Sequence, residues 1–160
     1  MPAASKTPAE QPARFWLTPE CERVQRELLD LSDALRVAAL EEYPDLAPSF
    51  RAAAAEFRRH LREHVADVED PEGLYAAVVQ SGPRLGRPIA RLCSEHAALE
   101  GSVETLDALL RRFDPADPAA AHAVRRSAAA LAALVRRHQE SSCALARSAC
   151  CGGPGPAGND

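Results

Sequence analysis

Aromatic residues make up only 4% of this 160-residue chain, and no run alternates apolar and polar residues in the manner of a strand. β-Sandwiches and barrels draw on aromatic and β-branched residues. The balance therefore disfavours a β-sandwich or barrel and favours packed helices, because Ala, Leu and Val dominate the 46% of residues that are hydrophobic. Lysine is almost missing: Lys6 is the only one among 19 Lys+Arg, against 23 Asp+Glu, for a formal charge of −4. With no global basic field, no nucleic-acid partner is expected. The segment MPAASKTPAEQPAR lacks the apolar core of a signal peptide, and the longest apolar stretch, AAALAALV at 128–135, is too short to cross a bilayer. These two features predict a cytoplasmic chain with no membrane partner. The five cysteines (Cys21, Cys93, Cys143, Cys150, Cys151) are odd in number and irregular in spacing, which reads as free thiols rather than a disulfide framework. The sequence offers no Gly-rich phosphate loop, no Ser/His/Asp constellation and no paired CxxC, so no catalytic residue is assigned and an enzyme is not the favoured reading.

Four amphipathic segments are present. Residues 1–17 are Pro-, Ala- and Gln-rich without apolar period and read as a disordered extension. Thr18-Pro19-Glu20 then gives a helix start signal. Leu28, Leu31, Leu35 and Ala38/Ala39 mark one stripe of a first helix to about Glu42. The second helix, about 48–68, carries Phe50, Ala54, Phe57 and Leu61 on one side and stops at Asp70-Pro71-Glu72-Gly73. In the connector, Leu74-Tyr75 and Val78-Val79 predict a short helical turn over the bundle end. A third helix from about Pro88 shows Leu92, His96, Leu99, Val103, Leu106 and Leu110, and a fourth runs from Asp117-Pro118 to Ser148 with Val124, Leu131, Val135, His138 and Leu145 inward. The expected fold is all-α: an up-down-up-down antiparallel four-helix bundle over 18–149, with 150–160 as a flexible tail.

The histidines carry the chemistry. At about 100° per residue, His60 and His64 lie roughly 40° apart on one helix face, near Phe57 and Leu61. His96 sits in the apolar seam of the third helix, and His138 follows Leu134 by one turn. His122 falls on the solvent side and is set aside. Three helices thus aim an imidazole at a shared interior, where a transition metal with carboxylate neighbours satisfies polar atoms that would each cost about 1–3 kcal/mol if left unpaired. Glu63, Asp67, Glu69, Glu95 and Glu100 are near these histidines in sequence. Counted from the nearest histidine, Glu100 and Asp67 have the best inward phase. The Arg-Arg pairs at 58–59, 111–112, 125–126 and 136–137 read as solvated helix faces, and Cys93 as packing.

The stretch LREHVADVEDPEGLYAAVVQSGPRLGRPIARLCSEHAALEGSVETL, with its Glu95-His96 pair and Leu74-Tyr75 connector, resembles the central part of bacterial hemerythrin-like (HHE cation-binding) domains. The ending ALVRRHQESSCALARSACCGG is similar to that family's fourth helix. The resemblance spans roughly residues 20–153. It implies a hemerythrin-like bundle holding one or two non-haem iron ions for binding or sensing oxygen, nitric oxide or peroxide, or for handling iron. Three positions depart from the family's ligand pattern: Leu28 stands where it has a helix-one histidine, Val68 where it has a bridging acid, and Ser142 where it has the helix-four acid. The expected metal ligands are therefore His60, His64, His96 and His138 with Glu69 and Glu100, a set that also suits zinc. A metal-free helical module that has lost the di-iron site and binds a protein partner remains the alternative.

Overall fold

The computed structural model describes residues 46–150, which are helices joined by short connections, with no strand among them. Helix α1 spans Leu46–Glu69, α2 Leu74–Ser81, α3 Gly86–Arg111 and α4 Pro118–Cys150, with a single 3-10 turn at Pro83–Leu85 between α2 and α3. The second, third and fourth predicted helices thus appear as α1, α3 and α4, and the connector's helical turn as α2. The expected extension at 1–17, the predicted helix over 18–42 and the tail beyond Cys150 lie outside the described residues.

Local chemistry sets the boundaries. Pro118 occupies the first position of α4, and the Asp117 carboxylate accepts the Ala119 N–H at 2.9 Å, so an N-cap side chain and a pre-set proline φ start this helix together. The α1–α2 turn is tighter. Asp70 accepts the Glu72 N–H on its side chain and the Gly73 N–H on its carbonyl, at 2.8 and 2.7 Å. A Cβ at position 73 would lie 2.7 Å from the Asp67 carbonyl and 2.9 Å from that of Asp70, both backbone atoms that cannot step aside. Gly73→Ala is expected to cost about 1–3 kcal/mol of stability through this overpacking, read as a lower urea midpoint. An unchanged midpoint would show that the turn relaxes freely.

α1 and α4 each pack chiefly along α3 rather than on one another. The Arg51 guanidinium at the start of α1 donates to the Leu110 carbonyl near the end of α3 (3.2 and 2.8 Å), and Arg58 pairs with Asp107, so α1 and α3 are antiparallel. The 112–117 turn folds α4 back along α3. Two apolar clusters result. One joins Phe50, Phe57 and Leu61 to Leu99, Leu106, Leu110 and the Val124–Val135 stretch of α4. The other joins Val68, Leu74, Tyr75, Val78, Leu85, Ile89, Leu92 and Leu145 around α2. Fully burying a side chain such as Phe57 or Leu106 contributes about 1.5–3 kcal/mol. Along α1 the sequence passes from Leu61 in the first cluster to Val68 in the second, along α3 from Leu99 to Leu92, and along α4 from Val135 to Leu145. Each passage crosses a histidine. No described helix is long and apolar enough to cross a membrane.

Candidate metal centre

His64 of α1, His96 of α3 and His138 of α4 form a buried polar layer between the two apolar clusters, with 7%, 1% and 6% exposure. One nitrogen from each lies within 4.8 Å of the other two. The His96 and His138 rings are 4.5 Å apart, and His64 meets both edge-on at 5.2 and 5.9 Å. Tyr75 of α2 lies parallel to the His96 ring, 6.0 Å away, and walls the layer on the second-cluster side.

Carboxylates hold the outer nitrogens. His96 Nδ1 donates to Glu69 Oε1 at 2.6 Å, and His138 Nδ1 donates to Glu95 Oε2 at 3.3 Å. Glu95 is itself fixed, because the Ser141 hydroxyl and the Arg91 Nε both donate to its Oε1, at 2.9 and 3.0 Å. An ionised carboxylate has no proton to give, so each Nδ1 carries the hydrogen and each neutral ring presents a bare lone pair on Nε2. Those two Nε2 atoms face one another at 3.1 Å. Two lone pairs at that distance repel unless something positive sits between or beside them, either a shared proton or a cation. Nitrogens bound to one tetrahedral ion at about 2.0–2.1 Å lie roughly 3.3 Å apart, close to this spacing. The carboxylate–histidine–Nε2 arrangement is also the one by which metal-binding proteins orient an imidazole and raise its basicity.

Burial favours the neutral, ligand-ready rings. It pushes the His64 imidazole down to about 3, and proximity to His96 and His138 adds to the effect. His138 is brought down to about 4, again mainly by burial and then by His96, with Glu95 pulling the other way. Burial and the Glu69 carboxylate push the Cys93 thiol up, so it stays protonated and packs against the second cluster.

Of the six expected ligands, three histidines converge directly and Glu69 reaches the cluster through His96. Glu69 is the last residue of α1, where the chain turns toward α2, and this frees a side chain that regular helical phase aims elsewhere. The other two lie apart. Glu100 is exposed and lines a surface groove with Arg58, Arg62 and Glu104, on the flank of α3 that faces α1. His60 is half-buried one turn before His64, with its Nε2 against the Arg59 guanidinium, and does not belong to the three-histidine group. Asp67 is exposed, as are Cys143 and the discarded His122. From sequence, Glu95 counts among the acids near the histidines but not among the expected ligands, and Ser141 is not singled out. Glu95 had a visible signal, since it lies three residues after Leu92 and four before Leu99, both in the seam.

Glu95→Gln keeps an acceptor for His138 Nδ1 but removes its charge. For a metal held on this cluster, affinity is expected to fall about 10–100-fold in competition with a chromophoric chelator, and unchanged affinity would strip Glu95 of its supporting role. Comparison with protein-family models, with curated proteins and with solved structures finds no match. The chemistry of the site must therefore be argued from its own residues.

Proposed function

We propose that this chain holds one transition-metal ion on His64, His96 and His138 and offers the remaining coordination position to a small exogenous ligand. The observation that carries this reading is the pair of Nε2 lone pairs 3.1 Å apart, each backed by a carboxylate on its Nδ1. When bound, the ion supplies a Lewis-acidic site for a small ligand of the oxygen, nitric oxide or peroxide class. The chain's own residues hold the rings, set their tautomers and keep bulk water out. Iron and zinc both suit three imidazoles with an open position. A pair of irons is less well served, because Glu69 and Glu95 are engaged at the outer nitrogens and Val68 lies in the apolar core.

The hemerythrin-like four-helix bundle belongs to the same proposal. α1 and α4 each pack chiefly on α3, and in such a bundle a fourth position lies beside both. The amphipathic segment over 18–42 has the length and apolar period to occupy it.

A second reading, the metal-free interaction module, is favoured by one fact: a proton shared between His96 and His138 would also satisfy both Nε2 atoms. Elemental analysis of untagged protein, expressed in medium supplemented with iron and zinc, separates the two. About one equivalent of metal per chain supports the metal centre. Two irons would overturn the one-ion proposal, and no metal from any medium would leave the shared-proton module.

A further inference from the structure

Ser142 is buried at 5% exposure on α4, one turn after His138, and its Oγ lies 3.5 Å from His138 Nε2. That nitrogen is the one that also faces His96 Nε2 at 3.1 Å. The Ser142 hydroxyl therefore points at the inner, metal-facing side of the cluster, whereas Ser141 points at Glu95 on the outer side. Once His138 commits its Nε2 lone pair to an ion, the Ser142 O–H loses that acceptor in a place water does not reach. It then has two outlets: the carbonyl one turn earlier on its own helix, or a ligand seated beside His138 on the ion.

We propose that Ser142 determines which exogenous ligand the centre accepts, by donating its hydroxyl hydrogen to a small anion at the position the three histidines leave open. The inference rests on the metal-centre reading above. Three neutral imidazoles leave a divalent ion's charge uncompensated in its own coordination shell, which favours an anion over a neutral ligand. Leu61 and Val68 on α1, and Leu92 and Leu99 on α3, flank the layer one turn above and below with apolar side chains. A single hydroxyl donor suits an anion with an exposed terminal lone pair, of the size of azide.

The test uses the full chain loaded with cobalt(II), whose visible absorption reports both uptake of the ion and entry of a further ligand, titrated with sodium azide. Ser142→Ala is expected to weaken azide affinity on the order of tenfold, the loss of one hydrogen bond to a charged acceptor, while cobalt affinity moves less than about twofold. Ser142→Thr, which keeps the hydroxyl, is expected to retain azide binding. Cobalt uptake with equal azide affinity in wild type and Ser142→Ala would overturn this inference alone. So would cobalt uptake without any azide response, or an equal loss in the alanine and threonine variants, which would assign the effect to packing. A chain that takes up no cobalt would overturn the metal centre and this inference together.

Discussion

On the proposed metal centre, His96→Ala is expected to abolish stoichiometric metal binding and with it any rise in thermal midpoint that added zinc gives the wild-type chain. At a free zinc concentration about 100 times the dissociation constant, that linkage is worth about 2.7 kcal/mol. The loss does not stop there. The His96 ring is 1% exposed and packed beside Tyr75, so its removal leaves a cavity between the two apolar clusters. It also deprives His138 Nε2 of its neighbour and Glu69 of its donor. Glu69 is one-third exposed and recovers water, whereas His138 does not. A cost on the order of 2–4 kcal/mol is expected even without metal. Thermal unfolding with and without zinc, alongside elemental analysis, measures both parts. His122→Ala on the exposed face of α4 is the control and should change neither. A His96→Ala protein that keeps its metal would remove His96 from the ligand set.

The second large effect is on acid stability. His64 and His138 titrate at about 3 and about 4 in the folded chain, against an ordinary value of 6.5. Both values are lowered, so below pH 6.5 the unfolded chain takes up protons that the folded chain refuses. Stability is therefore complete above about pH 6.5 and falls as the pH drops. Each histidine contributes a slope of up to about 1.4 kcal/mol per pH unit. The decline involves both residues down to about pH 4 and His64 alone from there to about pH 3. A metal held on these histidines, as proposed, would leave over the same range, because protons compete for the same nitrogens. Urea unfolding of chelator-treated protein between pH 7.5 and 4.5 tests this. A stability that stays level from pH 7 to 5 would mean that the folded chain accepts those protons freely.

Much of the fold was legible because the apolar stripes are regular. The proline- and aspartate-bearing turns at Asp70-Pro71 and Asp117-Pro118 punctuate them at the points where the helices break. The three central histidines were legible for the same reason, since each occupies a stripe position that a leucine would otherwise fill. The carboxylates were harder to place. Glu100 looked inward when its phase was counted from His96 alone, yet it lies roughly 80° from the axis of the stripe formed by Leu92, Leu99, Val103 and Leu110. His60 is roughly 70° from the axis of Phe57, Leu61, His64 and Val68. A single neighbour is a poor reference for direction, and the mean of the whole stripe is a better one. Glu95 also lies off the stripe's axis, but on the side where α4 packs, and there a carboxylate finds both an imidazole and a hydroxyl. Glu69 was beyond the reach of phase arguments, because its direction is set by where α1 ends.

A bundle whose contacting faces are leucine, valine and alanine throughout can slide one helix past another by a turn at little loss of apolar contact. The layer of His64, His96 and His138 removes that freedom. Shifting any one helix by a turn would set an imidazole against Leu61, Leu92, Leu99 or Leu145 and leave Glu69 or Glu95 without its ring. The three histidines therefore act as an alignment mark for the helices: whichever ligand they take, they admit a single register.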